Sequence, residues 1–185
     1  MARVAVFIEG GYLDEVLRKD FSMARLDYGK LSSRLAAPDD LLRTYYYHCM
    51  PYQSNPPTKD EAERFGSMQR FCSRLTRLDR FQVRLGQLAY RGDNAQGERI
   101  FIQKRVDILL GVDLVLLSAR HAIERAGLLV GDSDFLPAVH AAKNEGVLVH
   151  LYHGGPKNPP HHDLWEAADD RTQLDQAFVN SILRA

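Results

Sequence analysis

Two carboxylates two residues apart, Asp132 and Asp134, follow a short apolar segment that ends at Gly131. Residues 127–130 are typical of a buried parallel strand, and a helical pattern begins at about Phe135. Ligands of open α/β sheets bind at the carboxyl ends of strands, so the two acids lie where we expect a site. Both could instead only cap the helix and complement its dipole. Capping the helix requires only one carboxylate, so the presence of a second acid favours a functional site.

Three further acids are candidates for the same site. Glu9 follows the apolar residues 4–8, which predict a central strand, and strand ends are neighbours in such a sheet. Asp107 lies in the first turn of a predicted helix over residues 104–119. Asp113 comes six residues later, about 120° around that helix, so the two aspartates do not share a face. We expect one of them to bind metal and the other to support it.

The chemistry that suits clustered carboxylates is metal-assisted. Several acids in one site raise one another's pKa, so the site requires a cation, and oxygen ligands that leave room for water suit Mg²⁺ or Mn²⁺. Such a metal lowers the pKa of a bound water and stabilises charge on a phosphate, which favours phosphodiester hydrolysis. The sequence has no Walker-type loop and no evident Ser/His/Asp or Cys/His arrangement.

A group of histidines could form a separate transition-metal cluster, but their irregular spacing favours a polar loop. The group consists of His150, His153, His161, His162 and Asp163.

The stretch 64–105 is basic, although the whole chain has 24 basic and 24 acidic residues and a formal net charge of zero. Its ten basic residues exceed its three acidic ones by seven, which is typical either of a track for phosphates or of a solvated face. The basic residues are Arg64, Arg70, Arg74, Arg77, Arg80, Arg84, Arg91, Arg99, Lys104 and Arg105. Tyr90 and Phe101 could stack on unpaired bases, with core packing as the alternative for Phe101.

Three residues near the acids are candidates for contact with substrate phosphates. They are Lys104, Arg105 and Ser133. For Lys104 the alternative is an ion pair with Asp107.

The elements that would position these residues predict an α/β fold, a three-layer sandwich with a mainly parallel central sheet. The predicted strands are residues 4–8, 41–49, 81–90, 99–102, 127–130 and 147–152, and the predicted helices are 12–18, 28–35, 59–78, 104–119, 135–144 and 164–169. Asp27 and a capping box that begins at Thr58 are expected to start two helices. Helix 104–119 is apolar nearly all round and is expected to be buried, strands 81–90 and 99–102 could form a hairpin, and the tail is ambiguous.

Composition favours one globular domain over residues 1–185, with 45% hydrophobic and 26% charged residues. No apolar run approaches the length of a membrane span, so we expect no membrane partner. Cys49 and Cys72 lack the spacing of zinc or redox motifs, and a reduced, cytoplasmic setting is the default. Hydrophobic residues in the tail could support a homodimer.

Several segments together resemble a known family, the NYN domain with its PIN-like nuclease fold, and in particular its LabA-like branch. They are residues 8–13 (Ile-Glu-Gly-Gly-Tyr-Leu), 104–108 (Lys-Arg-Val-Asp-Ile) with Asp113, 131–137 (Gly-Asp-Ser-Asp-Phe-Leu-Pro) and 164–169. The resemblance implies a metal-dependent ribonuclease. It assigns catalysis and Mg²⁺ (or Mn²⁺) binding to Glu9, Asp107, Asp132 and Asp134, with Asp113 as a further metal-binding acid.

The sequence departs from that family at the first motif, where Glu9 replaces the usual aspartate and Gly11-Tyr12 replaces an asparagine often found there. Because Mg²⁺ demands near-ideal geometry, the longer side chain could weaken or abolish activity. The leading hypothesis is therefore a metal-dependent endoribonuclease acting on single-stranded RNA. The alternatives are a catalytically degenerate RNA-binding or regulatory protein and, third, an enzyme acting on small nucleotides or DNA.

Overall fold

The structure is a computed structural model that describes residues 1–97 and 99–184, and the side chains of Ala89, Arg99, Ile102, Gln103 and Lys104 lie outside this description. The strands are β1 (Arg3–Glu9), β2 (Asp40–Cys49), β3 (Phe81–Asp93), β4 (Arg99–Lys104), β5 (Arg125–Leu129), β6 (Leu148–His153) and β7 (Asp170–Gln173). The helices are α1 (Gly10–Asp20), α2 (Tyr28–Ala36), α3 (Lys59–Leu75), α4 (Val106–Ala119), α5 (Leu136–Asn144), α6 (His162–Ala167) and α7 (Gln176–Ser181), with a 3₁₀ turn at Ser133–Phe135.

The strands form one sheet in the order β4-β3-β2-β1-β5-β6-β7, in which only the β3–β4 pair is antiparallel. Helices cover both faces of this sheet, which confirms the predicted α/β sandwich with a mainly parallel centre. The strand order changes direction at β1, whose neighbours are β2 and β5. Ligand sites of open α/β sheets lie at such switch points, beyond the carboxyl ends of the strands.

Strand β1 is buried on both faces because it lies at the centre of the sheet, which explains its continuous run of apolar residues. Val6 and Ile8 pack with α1, α2 and α7, whereas Ala5 and Phe7 pack with α4 and α5. Side chains alternate along a strand, so Glu9 follows Phe7 on the α4 and α5 side. The period of the strand thus directs this acid toward the helix that carries Asp107.

Helix α4 differs from the sequence prediction in two ways. It begins at Val106 because Lys104 still belongs to β4 and Arg105 adopts a left-handed conformation with φ of 76°. It is also not buried all round, since Ile108, Val112 and Leu116 are 67%, 50% and 44% exposed. The sheet covers one side of the helix and α5 covers a second, and no described element covers this third side.

The remaining elements largely follow their sequence signals. Asp27 caps α2, Thr58 and Glu61 form the capping box of α3, and β3 and β4 form the predicted hairpin. The ambiguous tail resolves into β7 and α7. Cys49 and Cys72 are both buried. In the described part of the chain no helix is long and apolar enough to cross a bilayer.

Candidate functional site

Four of the predicted acids meet at the carboxyl edge of the sheet. Glu9 ends β1, Asp132 follows the neighbouring parallel strand β5, and Asp134 lies in the 3₁₀ turn after it. Asp107 joins them from the first turn of α4. Their charges act on one another. Beyond the effect of burial, which is the larger cause for both groups, Asp107 and Asp132 raise the pKa of Glu9, and Asp132 and Asp134 raise the pKa of Asp107.

Glu9 is the most perturbed member of this acidic cluster. Burial, followed by the negative charge of Asp107, raises its pKa to about 7, with a further contribution from Asp132. A hydrogen bond from the backbone N–H of Gly131 and the nearby His48 act in the opposite direction. Its Oε2 atom is buried and accepts no hydrogen bond from any described residue. One oxygen of the carboxylate therefore lacks the hydrogen-bond donor that its burial demands.

Asp132 combines a local role with membership of the cluster. Its Oδ1 accepts hydrogen bonds from the backbone N–H of Asp134 at 3.1 Å and from Ser133 Oγ at 3.4 Å. The capping interpretation of the sequence is thus confirmed for Asp132. Asp134 supplies the donor to this cap, and its exposed carboxylate acts on Asp107. One acid caps the turn and both contribute negative charge to the cluster.

The donor chemistry of the cluster fits a hard divalent cation. All four side chains offer carboxylate oxygens, and the Oε2 atom of Glu9 is buried without a hydrogen bond from any described residue, so it could serve as a ligand atom. Among the described residues, however, no three histidine, cysteine, aspartate or glutamate side chains are already grouped closely enough to hold a metal ion. The side chains would have to close around a cation. The same finding gives no support to the histidine cluster, for which the irregular spacing in the sequence favours a polar loop instead.

Gly10 determines how closely α1 approaches β2 beside Glu9. A Cβ atom at this position would lie 2.4 Å from the ring of His48 and 2.4 Å from the hydroxyl of Tyr46. The glycine is therefore required by packing. His48 stacks on Tyr46, and its Nε2 lies 3.1 Å from Asp14 Oδ2 on the next turn of α1. Sequence reasoning missed His48, because its contacts arise only when α1 packs on β2.

Tyr12 fixes the loop that borders the acids. Its hydroxyl donates to the carbonyl of Asn158 and accepts from the backbone N–H of Gly154, both at 3.0 Å. The same loop reaches the acids through His161, whose N–H donates to the carbonyl of Gly131 at 2.8 Å. Between α1 and this loop lies a cleft of about 710 Å³ that is lined by Glu9 and Asp132.

A model of the NYN domain family matches residues 3–175, which is nearly the whole chain and includes all five predicted acids. The chain belongs to the NYN domain family. The resemblance noted in the sequence is thereby confirmed at the level of the domain, while the LabA-like branch stays a prediction. A search of curated proteins finds no match.

A solved structure supports the fold of this NYN domain. A protein of unknown function from Vibrio parahaemolyticus RIMD 2210633 superposes with a TM-score of 0.62 at 18% identity. The match covers 99% of this chain and 96% of that one. At this level of identity the likeness concerns the architecture alone.

The fifth predicted acid of the NYN domain, Asp113, has different neighbours. Its Oδ2 accepts a hydrogen bond from Tyr47 Oη at 2.8 Å and lies 3.2 Å from Arg84 Nε. These contacts attach it to β2 and β3, whereas Asp107 faces the other acids. The helical period separates the two aspartates, as the sequence predicts.

The predicted phosphate contacts are distributed around the acids. The Ser133 hydroxyl donates a hydrogen bond to the carboxylate of Asp132, and Arg105 is exposed immediately before α4. The side chain of Lys104 lies outside the described residues. Farther along the β3–β4 hairpin, Tyr90 and Phe101 pack with Tyr52 and with each other, at ring-centroid distances of 4.9 to 6.3 Å.

Proposed function

We propose that this NYN domain is a divalent-metal-dependent ribonuclease that cleaves single-stranded RNA internally. The observation that carries the proposal is the buried, unpaired Oε2 of Glu9 amid three other carboxylates. An uncompensated cluster of this kind costs stability unless a cation or protons neutralise it. The PIN-like nuclease superfamily, to which the NYN domain belongs, supports nuclease chemistry.

In this proposal Glu9, Asp107 and Asp132 hold Mg²⁺ or Mn²⁺. The bound metal would lower the pKa of a water and stabilise the charge that develops on the phosphate. Asp134 orients the surrounding water, whereas Asp113, bonded to Tyr47 and Arg84, supports the site by fixing the helix that carries Asp107. The Gly131 N–H keeps the Glu9 carboxylate in place while the other oxygen stays available.

The substrate side of the proposal rests on charge. The acids repel phosphates, so RNA must be held by cations outside the cluster. Ser133, Arg105 and Lys104 are the proposed contacts next to the acids. A water activated by the metal would bond to phosphorus as the bond from phosphorus to the 3′ oxygen breaks, which would leave a 5′-phosphate and a 3′-hydroxyl.

The test is incubation of end-labelled single-stranded RNA with the purified protein in Mg²⁺, in Mn²⁺ and in EDTA. We expect shortened RNA with either metal and intact RNA in EDTA. Cleavage that persists in EDTA would contradict the proposal. Single-stranded DNA and p-nitrophenyl phosphate, added in parallel, separate an RNA-specific enzyme from one that acts on DNA or on small phosphates.

A second candidate is a catalytically degenerate RNA-binding protein. The observation that favours it is the absence, among the described residues, of three ligands already grouped around a metal position. The longer side chain of Glu9 is compatible with the same interpretation. This protein would retard RNA in a native gel and leave its length unchanged in every metal, which separates it from the nuclease in one experiment.

A further inference from the structure

A second pocket, on the α1 and α3 side of the sheet, has a composition unlike that of the acidic cluster. It measures about 800 Å³, a size typical of small-ligand sites, and four arginines line it. They are Arg25, Arg64, Arg74 and Arg184. The acid in its lining is Asp14, which already pairs with His48 at 3.1 Å. The pocket is therefore strongly basic in a chain of zero formal net charge.

The four arginines have no counterion in the described part of the chain. None of them forms an ion pair there, and Arg64 donates only to the backbone carbonyl of Asp60. The backbones of Arg25 and Arg184 are adjacent, because the N–H of Arg184 donates to the carbonyl of Arg25 at 2.9 Å. Four like charges around one pocket repel one another, and an anionic ligand would lower this repulsion.

The floor of the same pocket is apolar and partly aromatic. Tyr28, Met68 and Phe71 line it, and the rings of Tyr28 and Phe71 meet edge to face at 5.3 Å. Both rings and the methionine are only partly buried, so their surfaces are accessible from the pocket. Aromatic and thioether surfaces next to arginines suit a ligand that combines a flat base with phosphates.

We propose that this arginine-lined pocket binds one nucleotide of the single-stranded RNA, outside the position that is cleaved. The base lies against Phe71 and Met68, and the flanking phosphates contact the arginines. The inference rests on the proposed function, in which RNA is the substrate of the acidic cluster. It supplies what that cluster lacks, namely favourable contacts with the phosphate backbone.

Helix α1 connects the two sites. Asp14, at the edge of the pocket, follows Glu9 by five residues, which corresponds to about 7 Å along the helix. His48 lies between them, paired with Asp14 and packed on Gly10. A strand bound in the pocket therefore reaches the acids within a few nucleotides, and binding energy gained at the pocket serves to position the scissile phosphate.

The test is RNA binding in EDTA, where no metal-dependent cleavage occurs. The affinity of a fluorescent single-stranded RNA is measured by anisotropy at several salt concentrations, with Arg64→Gln/Arg74→Gln and with Arg77→Gln/Arg120→Gln as the matched control. Both pairs remove two exposed positive charges, but Arg77 and Arg120 do not line the pocket. Circular dichroism verifies that both variants are folded.

We expect about tenfold weaker binding for the pocket variant and less than twofold for the control. The slope of log affinity against log salt should fall by about 1.4, since two contacts to single-stranded phosphates are lost. RNA that carries 4-thiouridine should cross-link to α3 on irradiation. Equal losses in both variants, or cross-links that avoid α1, α2 and α3, would overturn the proposal by showing diffuse attraction.

Two further results separate this inference from its alternatives. Displacement of the RNA by micromolar AMP would identify the pocket as a site for free nucleotide and overturn it. Pocket-dependent RNA binding by a protein that cleaves no RNA in Mg²⁺ would support the binding site and contradict the proposed nuclease activity. Cleavage in Mg²⁺ with RNA binding that does not depend on the pocket would support the nuclease activity and overturn the binding site.

Discussion

At the scale of single residues, Glu9 is the member of the acidic cluster whose ionisation costs most free energy in the folded protein. Its carboxyl is partly buried at the end of an apolar strand, and its pKa is raised to about 7 by burial and then by Asp107. In the unfolded chain the same group titrates near 4.5. Between these two pH values the folded protein binds more protons than the unfolded one, so stability must fall as the pH rises.

The first prediction concerns this pH dependence in EDTA. The free energy of unfolding should decline from about pH 4.5 to about pH 7, and Glu9→Gln should reduce the decline by up to about 3 kcal/mol, because the neutral amide does not titrate. Urea unfolding at successive pH values measures both proteins. The difference between them isolates Glu9 from His48, whose pKa is also raised. Identical pH profiles would show that Glu9 ionises without cost.

The second prediction concerns Gly10. Gly10→Ala should destabilise the protein by about 1–3 kcal/mol, because the new methyl group would meet the His48 and Tyr46 rings. Gly66→Ala is the matched control within α3, where the nearest atom is the mobile end of Arg70 at 3.2 Å. It should stabilise by about 0.5–1 kcal/mol through helix propensity. Equal effects of the two substitutions in thermal unfolding would refute the packing role of Gly10.

At the scale of elements, hydrogen bonds of the Tyr12 hydroxyl and of Lys19 attach the loop after β6 to α1. The Tyr12 Oη bonds with Gly154 and Asn158 hold the wall of the cleft that faces Glu9 and Asp132. The cleft therefore depends on a contact between residues about 140 positions apart in the chain.

The third prediction tests this attachment. Tyr12→Phe should cost about 1–3 kcal/mol, since the buried N–H of Gly154 loses its acceptor, and should speed amide exchange across residues 154–161. Tyr45→Phe is the control, because the structure describes no hydrogen bond for the Tyr45 hydroxyl and its ring stacks on Phe7. Exchange that changes equally in both variants would mean that the loop is held by other contacts.

Features that depend on residues close together in the chain could be predicted from the sequence, whereas features that depend on contacts between distant segments could not. The α/β sandwich, the caps at Asp27 and Thr58 and the placement of four acids at one edge follow from local patterns, whereas the order of the strands in the sheet does not. The exposed side of α4 could not be predicted, because an apolar helix looks alike whether or not a neighbour covers it. His48 and the arginine-lined pocket arise from packing between distant segments, for which the sequence carries no periodic signal.

At the scale of the whole molecule, a bound cation should couple the acids to global stability. The fourth prediction is that Mg²⁺ raises the melting temperature more at pH 8 than at pH 5.5, because protons compete with the metal for Glu9 at the lower pH. Differential scanning fluorimetry with and without Mg²⁺ measures the shift. Glu9→Gln should show a smaller shift at pH 8. A shift of equal size at both pH values would argue against binding through Glu9.

Metal-dependent RNA cleavage at the acidic cluster is tested most directly by the single-turnover rate of the Asp132→Asn variant in Mg²⁺. The matched control is Asp175→Asn, which makes the same change at the N-cap of α7, remote from the acids. Asparagine caps a helix as well as aspartate does, so both variants should fold normally. We expect at least a hundredfold slower cleavage for Asp132→Asn and an unchanged rate for Asp175→Asn. Full activity of Asp132→Asn, or cleavage by wild-type protein in EDTA, would contradict it.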